Sequence, residues 1–260
     1  MKLYPKYTFV PTILAAAFAV PAAAQEGPYV GVSGGISLPG DSSNSGTFDT
    51  GVPETDDFGS IPADADLAFE TDFDTGYTIS GQAGYAFENG FRLEVEAAYS
   101  EYNVDGHEEL LVGGANIDGV DSAVLTRGPA SGANPTVGDV LADGQGDVTN
   151  FGLFGNVFYD IQTGGAFKPY VGGGIGYQWV DVDFRPSDVA IGDDDDGAFA
   201  YQLMAGASYT VTDSVELFGQ YTFRDTTEDA DIPLTLLPAT LGVESQQSLV
   251  TAGVRVRFGG

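Results

Sequence analysis

The chain has 260 residues, 38 of them acidic and nine of them Lys or Arg, and a formal charge of -29. There is no basic footprint for a nucleic acid partner. The absence of cysteine excludes a disulfide framework and thiolate metal ligation, while 37 Gly, 13 Tyr and 17 Phe suit strands, tight turns and aromatic belts.

At the N-terminus, Lys2 and Lys6 precede a mostly apolar stretch over 8–20, interrupted by Pro11 and followed by Ala22-Ala23-Ala24. This is the pattern of a secretory signal peptide over 1–24, cleaved before Gln25. The stretch falls short of the ~20 apolar residues that a spanning helix needs. Residues 25–260 then read as one all-β domain. They hold no apolar run of helical spanning length, so any membrane crossing requires a closed barrel.

The first strand is expected over 29–38, with Val30, Val32, Ile36 and Leu38 on one face and Tyr29, Gly31, Ser33, Gly35 and Ser37 on the other. Residues 39–74, rich in Pro, Gly, Ser and acids, read as a first loop. The second strand, about 75–87, alternates Tyr77, Ile79, Ala83, Tyr85 and Phe87 with Thr78, Ser80, Gln82 and Gly84. Glu88-Asn89-Gly90 is a tight turn, where Asn-Gly supplies positive φ. The third strand, 91–102, sets Phe91, Leu93, Val95, Ala97 and Tyr99 against Arg92, Glu94 and Glu96. Residues 103–147 read as a second loop.

The fourth strand, 148–161, places Phe151, Leu153, Val157 and Tyr159 opposite Asn150, Asn156 and Asp160, with Phe154 and Phe158 on the polar side. After a turn over 162–167, the fifth strand, 168–183, sets Val171, Ile175, Tyr177 and Trp179 against Gly172, Gly174, Gly176 and Gln178. A third loop is expected over about 184–197. The sixth strand, 198–211, and the seventh, 214–225, flank a Thr212-Asp213 turn. The seventh alternates Val215, Leu217, Tyr221 and Phe223 with Glu216, Gln220, Thr222 and Arg224. A fourth loop over about 226–246 leads to the last strand, 248–258. There Val250, Ala252, Val254, Val256 and Phe258 face one way and Thr251, Gly253, Arg255 and Arg257 the other.

An apolar face backed by paired arginines suits lipid outside and a polar filled lumen inside. Eight strands, with long loops and short turns in strict alternation, predict an eight-stranded antiparallel up-and-down transmembrane β-barrel. It has four long extracellular loops and short periplasmic turns. Phe87, Phe91, Tyr159, Phe167, Tyr170, Tyr209 and Phe258 fall near the turn ends. Tyr77, Tyr99, Trp179, Phe199 and Phe223 fall near the loop ends, as two aromatic belts require.

The stretches YVGVSGGISL, NVFYD and KPYVGGGIGYQW, with the closing strand, resemble the small eight-stranded outer-membrane barrels of Gram-negative bacteria. These are the OmpA-like transmembrane, opacity and outer-membrane immunogenic protein group. The resemblance covers the strands and implies the outer membrane of a Gram-negative bacterium, with lipid and lipopolysaccharide as surroundings. Thr251, Gly253, Val256 and Phe258 resemble the signal read by the barrel-assembly machinery. Gly259 and Gly260 follow the aromatic, where the family usually ends on it.

Eight charges point into the lumen: Arg92, Glu94, Glu96, Asp160, Glu216, Arg224, Arg255 and Arg257. Four are acids and four are bases, so a paired network is expected, because unpaired buried charge is costly. Residues 39–74, 103–147, 181–197 and 225–246, the four loops with the strand ends that flank them, carry thirty of the 38 acids, with Arg127 and Arg185 their only bases. Asp193, Asp194, Asp195 and Asp196 are hard oxygen ligands by type and the candidates for calcium or another divalent cation. They lack a Gly-spaced binding loop, so no metal site is assigned. His107 is the one histidine, it stands in the second loop, and no Ser or Asp partner can be placed beside it. No phosphate loop, H-E-x-x-H or nucleophile elbow occurs.

The expected protein is non-enzymatic and without cofactor, a barrel with a structural or surface-interaction role that displays acidic loops. A narrow pore, or passage of small molecules, is the transport alternative. A soluble secreted ligand-binding barrel is the third.

Overall fold

The computed structural model describes residues 26–142, 146–184, 192–234 and 237–258, without the side chains of 184 and 192–195. The signal peptide expected over 1–24 and the final Gly259 and Gly260 lie outside the described residues. Thirteen strands and two short helices are described. In chain order they are β1 (Gly27–Pro39), β2 (Ser42–Phe48), β3 (Asp66–Phe73), β4 (Gly76–Ala86), β5 (Phe91–Val112) and β6 (Ala115–Asn116). Next come helices α1 (Ala123–Thr126) and α2 (Val137–Leu141), then β7 (Gly146–Asp160), β8 (Phe167–Phe184) and β9 (Gly192–Thr212). The chain finishes with β10 (Val215–Thr226), β11 (Ala230–Pro233), β12 (Ala239–Val243) and β13 (Gln247–Arg257).

Eight of these strands form an antiparallel ring in the order β1, β4, β5, β7, β8, β9, β10, β13. It closes where β1 pairs with β13, Tyr29 opposite Arg257 and Val30 opposite Val256. Alternation sets the two faces. Val30, Leu93, Val95, Leu153, Ile175, Leu203 and Leu217 are exposed outward, while Tyr29, Arg92, Glu94, Phe158 and Arg224 are buried inward. In water such an outward band would be unfavourable, and in lipid it is the stable arrangement. The turns follow the sequence. Gly90 takes φ 88°, and the Thr212 hydroxyl accepts the N–H groups of Ser214 and Val215.

The loops depart from expectation. Residues 39–74, 103–147 and 226–246 are not open loops, because they contain β2, β3, the upper part of β5, β6, both helices, β11 and β12. β1 runs into β2, β3 into β4, β10 into β11 and β12 into β13, each across a break of only two or three residues. The pairings above the breaks repeat those below: β2 with β3, β12 with β2, β11 with β12, and β3 with β5. Even the register carries over, since Ser37 opposes Gly76 below the break and Ser42 opposes Thr71 above it. On the other side β5, β8 and β9 run through unbroken for 22, 18 and 21 residues, about twice the 9–11 that cross a bilayer. The barrel is therefore tall, and its upper half stands clear of the membrane.

Polarity inverts between the halves. In the upper half Tyr102, Val104, Val148, Val180, Val182, Ile232 and Val243 pack inward as one apolar cluster. Asn103, Asp105 and Asp181 are exposed outward. Above it Phe48, Leu67, Phe69, Leu110, Val137, Leu141 and Leu241 form a second cluster. α2 closes over this cluster, started by a reciprocal cap in which Asp139 N–H reaches the Thr136 hydroxyl (3.2 Å) and Thr136 N–H reaches the Asp139 carboxylate (3.0 Å). Arg127 ties the 49–65 segment to this top by donating to the carbonyl oxygens of Pro53 and Gly59, both at 2.8 Å.

Two further expectations change. Tyr170 is not part of an outward belt, because it is buried in the lumen. Asp193–Asp196 do not form a loop, because β9 begins at Gly192 and pairs with β8 along that stretch.

Candidate functional site

The lumen of the membrane half holds all eight predicted charges, each at most 7% exposed. Their ion pairs fall into three groups, and Asn156 bridges two of them by donating to Glu94 at 3.4 Å and to Glu96 at 2.8 Å. Nearest the turns, Glu216 of β10 lies 3.2 Å from Arg255 and 3.1 Å from Arg257 on β13, and 3.7 Å from Lys168 on β8. Beside it, Arg92 of β5 binds Asp160 of β7 at 2.9 Å and approaches Glu94 at 3.8 Å. The Tyr29 hydroxyl donates to Glu94 at 2.8 Å. Farther up, Arg224 lies 3.3 Å from Glu96, whose other oxygen accepts from Asn156 and Gln202, both at 2.8 Å. Glu94 and Glu96 are thus both engaged by lumen partners.

Aromatic rings fill the space between these groups. The Arg92 guanidinium lies over Phe158 at 4.4 Å and Tyr170 at 4.9 Å, Arg224 over Phe154 at 4.2 Å, and Arg255 over Phe218 at 4.8 Å. Stacking of this kind favours arginine over lysine. The glycine ladder of β8 makes the room. A Cβ at Gly172 would strike the Phe158 ring, and one at Gly176 the Phe154 ring. Lys168 was missed from sequence. The signal was present, since it shares the even-numbered face of β8 with Tyr170 and Gly172.

The assembly-signal residues lie on the closing strand. Thr251 and Gly253 belong to its inward side, where Gly253 leaves space for the Phe218 ring. Val256 and Phe258 are half-buried on the outward side.

The outer wall of the upper half is acidic. Glu70 of β3 opposes Glu108 of β5, and Asp147 of β7 opposes Asp183 of β8. Like charges facing across a ladder repel. A hydrogen bond with the Asp72 carboxyl, and its negative charge, raise the Glu108 carboxyl above its ordinary range. Asp196 accepts the N–H groups of Gly197 at 2.7 Å and Asp231 at 3.1 Å. The side chains of Asp193, Asp194 and Asp195 lie outside those described. Among the described residues no three acidic, His or Cys side chains gather to hold a metal ion.

His107 does not stand in an open loop. It is buried on β5 with Nδ1 2.8 Å from the Thr71 hydroxyl, which in turn accepts from Asn44 Nδ2 at 2.6 Å. The hydroxyl donates to Nδ1 or accepts from it according to the tautomer of the ring. Burial lowers its pKa to about 4. A hydroxyl beside an imidazole is a nucleophile-and-base pair by type, but both members are at most 2% exposed.

Known proteins bear on this arrangement. Residues 52–260 match the model of the surface antigen family. An outer membrane protein of Gluconacetobacter diazotrophicus is 27% identical over 249 residues, 89% of this chain and 55% of that protein. The chain thus spans about half the length of the curated relative it matches. Among solved structures, the outer membrane protein OprG from Pseudomonas aeruginosa aligns with TM-score 0.53 at 15% identity, over 90% of this chain and 97% of that one. Neisserial surface protein A aligns with TM-score 0.45 at 18% identity, over 89% and 97% of the two chains. With the outward apolar band, the family match sets aside the soluble secreted barrel. The chain belongs to the surface antigen family and is a β-barrel protein of the Gram-negative outer membrane.

Proposed function

We propose that this protein is a non-enzymatic, non-conducting surface anchor, in which a plugged membrane barrel holds up a folded, acid-walled extension outside the cell. One observation carries the reading. The interior is occupied in successive layers, with stacked arginines and their carboxylates below and a dry apolar core above. Water does not line a bore where every charged group is so nearly inaccessible, and a small eight-stranded barrel has little bore to spare. The buried Thr71–His107 pair has no approach for a substrate, which favours a non-enzymatic role.

The outward apolar band is suited to outer-membrane lipid and lipopolysaccharide. Thr251, Gly253, Val256 and Phe258 are suited to engage the barrel-assembly machinery during insertion. The acidic outer wall would attract divalent cations and repel polyanions. A narrow pore or small-molecule path remains the transport alternative, and it would require the lumen ion pairs to part.

Reconstitution in planar bilayers tests the reading. The expected result is no current above leakage across a range of salt concentrations, with the protein folded by heat-modifiable gel mobility. Discrete conductance steps from folded protein would overturn it.

A further inference from the structure

We infer that a layer of amides and hydroxyls midway up the barrel is a binding site for ordered water. The layer lies between the Arg224–Glu96 pair below and the apolar core above. It is built by Ser100 of β5, Asn150 of β7, Gln178 of β8, Ser245 between β12 and β13, and Gln247 of β13, each at most 3% exposed. Gln178 Nε2 donates to Asn150 Oδ1 and to the Ser245 hydroxyl, both at 2.9 Å. Ser245 donates to the same Asn150 oxygen at 3.2 Å. Ser100 donates to Gln247 Oε1 at 2.9 Å, and Ser37 of β1 approaches that oxygen at 3.4 Å.

After these bonds are made, Gln178 Oε1 and Gln247 Nε2 are buried without a hydrogen-bond partner among the described residues, and Asn150 Nδ2 has only the Tyr102 hydroxyl beside it. Rotating the amides does not repair this. If Asn150 and Gln178 flip together, Asn150 donates to Gln178 and the network is preserved with its direction reversed. One donor and one acceptor are still left over. If Gln247 flips, its nitrogen donates to Ser100 and its oxygen becomes the unpaired atom. Gln178 and Gln247 thus each keep an unpaired amide atom in either rotamer.

The core above offers only the Tyr102 hydroxyl, and the carboxylate and guanidinium below are occupied by one another and by Gln202. Buried polar groups left unpaired are costly. Water both donates and accepts, and internal water sits where two to four polar partners converge. The Tyr102 hydroxyl, which faces Asn150 and Ser245, adds a further polar group to the layer. The site draws on both the kinked strands and the unbroken ones, so bound water would knit the two sides of the barrel at the level of the breaks.

The test is a crystal structure of the full chain at a resolution that shows ordered solvent. The expected result is solvent density within hydrogen-bond distance of at least two of the three amide groups of Asn150, Gln178 and Gln247, on their unpaired atoms in whichever flip state is found. Density at fewer than two, with the side chains ordered, overturns the inference. In solution, the Asn150 and Gln247 side-chain amide protons should show cross-relaxation with long-lived water in detergent micelles. Its absence from resolved signals counts against the site in the same way.

Discussion

Replacing Glu216 with Gln is the sharpest perturbation of the lumen. The amide keeps the shape of the carboxylate and removes its charge from three cations, Arg255 at 3.2 Å, Arg257 at 3.1 Å and Lys168 at 3.7 Å. At an effective dielectric of about 20, each near pair is worth about 5 kcal/mol before desolvation. Most of that gain offsets the desolvation of the charges. The net loss on removing one partner of a buried pair is about 3–5 kcal/mol, because the remaining charges stay buried without compensation. Glu94 still faces Arg255, so Glu216→Gln should fall in the lower part of that range. Glu96→Gln should cost less, because Arg224 keeps its bonds to Gln202 Oε1 at 2.8 and 3.0 Å. Lys168→Met added to Glu216→Gln should recover part of the loss by removing one of the stranded cations. Urea unfolding of the barrel in lipid vesicles measures all three against the parent. If Glu216→Gln lies within about 1 kcal/mol of the parent, the charges are hydrated in the folded barrel and the plug argument fails.

Other outcomes follow from the upper half and from β8. Burial lowers His107 from 6.5 to about 4, so its neutral form adds stability that is fully present above pH 6.5. That stability is lost as pH falls toward 4, up to about 3 kcal/mol locally. Hydrogen exchange at β3 and β5 amides should show this loss, and His107→Gln should abolish it. Glu108 acts in the opposite direction. Its pKa is raised by Asp72, so its contribution is present in acid and is lost as pH rises through the folded value. Glu108→Gln should flatten exchange on the alkaline side and leave a steeper acid loss. Gly172→Ala should displace the Phe158 ring from Arg92 and lower the unfolding midpoint, whereas Gly173→Ala, where a Cβ meets nothing closer than 3.7 Å, should be nearly neutral by the same assay.

The membrane half was legible because lipid enforces one rule on every strand. Val30, Leu93, Val157, Val171 and Leu217 had to be apolar on one side, and Arg92, Glu96, Glu216 and Arg255 could then only point inward. That rule made the eight strands, the closing pair and the candidate charges readable without a structure. The pairing partners were not readable. That Arg224 meets Glu96 from across the lumen, or that Lys168 joins Glu216, depends on how the ring closes and how strand faces converge.

The upper half was hidden by the same rule. On β5 the odd positions are apolar through Tyr99, and then the even positions Tyr102 and Val104 take over. On β7 and β8, Val148, Val180 and Val182 likewise turn inward where Asp147, Asp181 and Asp183 turn out. Side chains keep their alternate facing, but their chemistry inverts once water replaces lipid outside. Read from the sequence, that inversion looks like the end of a strand. Sequence alone established a lipid-facing barrel, because the surrounding solvent dictates local alternation. Only the tertiary structure decided that the barrel continues beyond the bilayer as a dry core, because that core exists only where segments far apart in the chain are brought together around it.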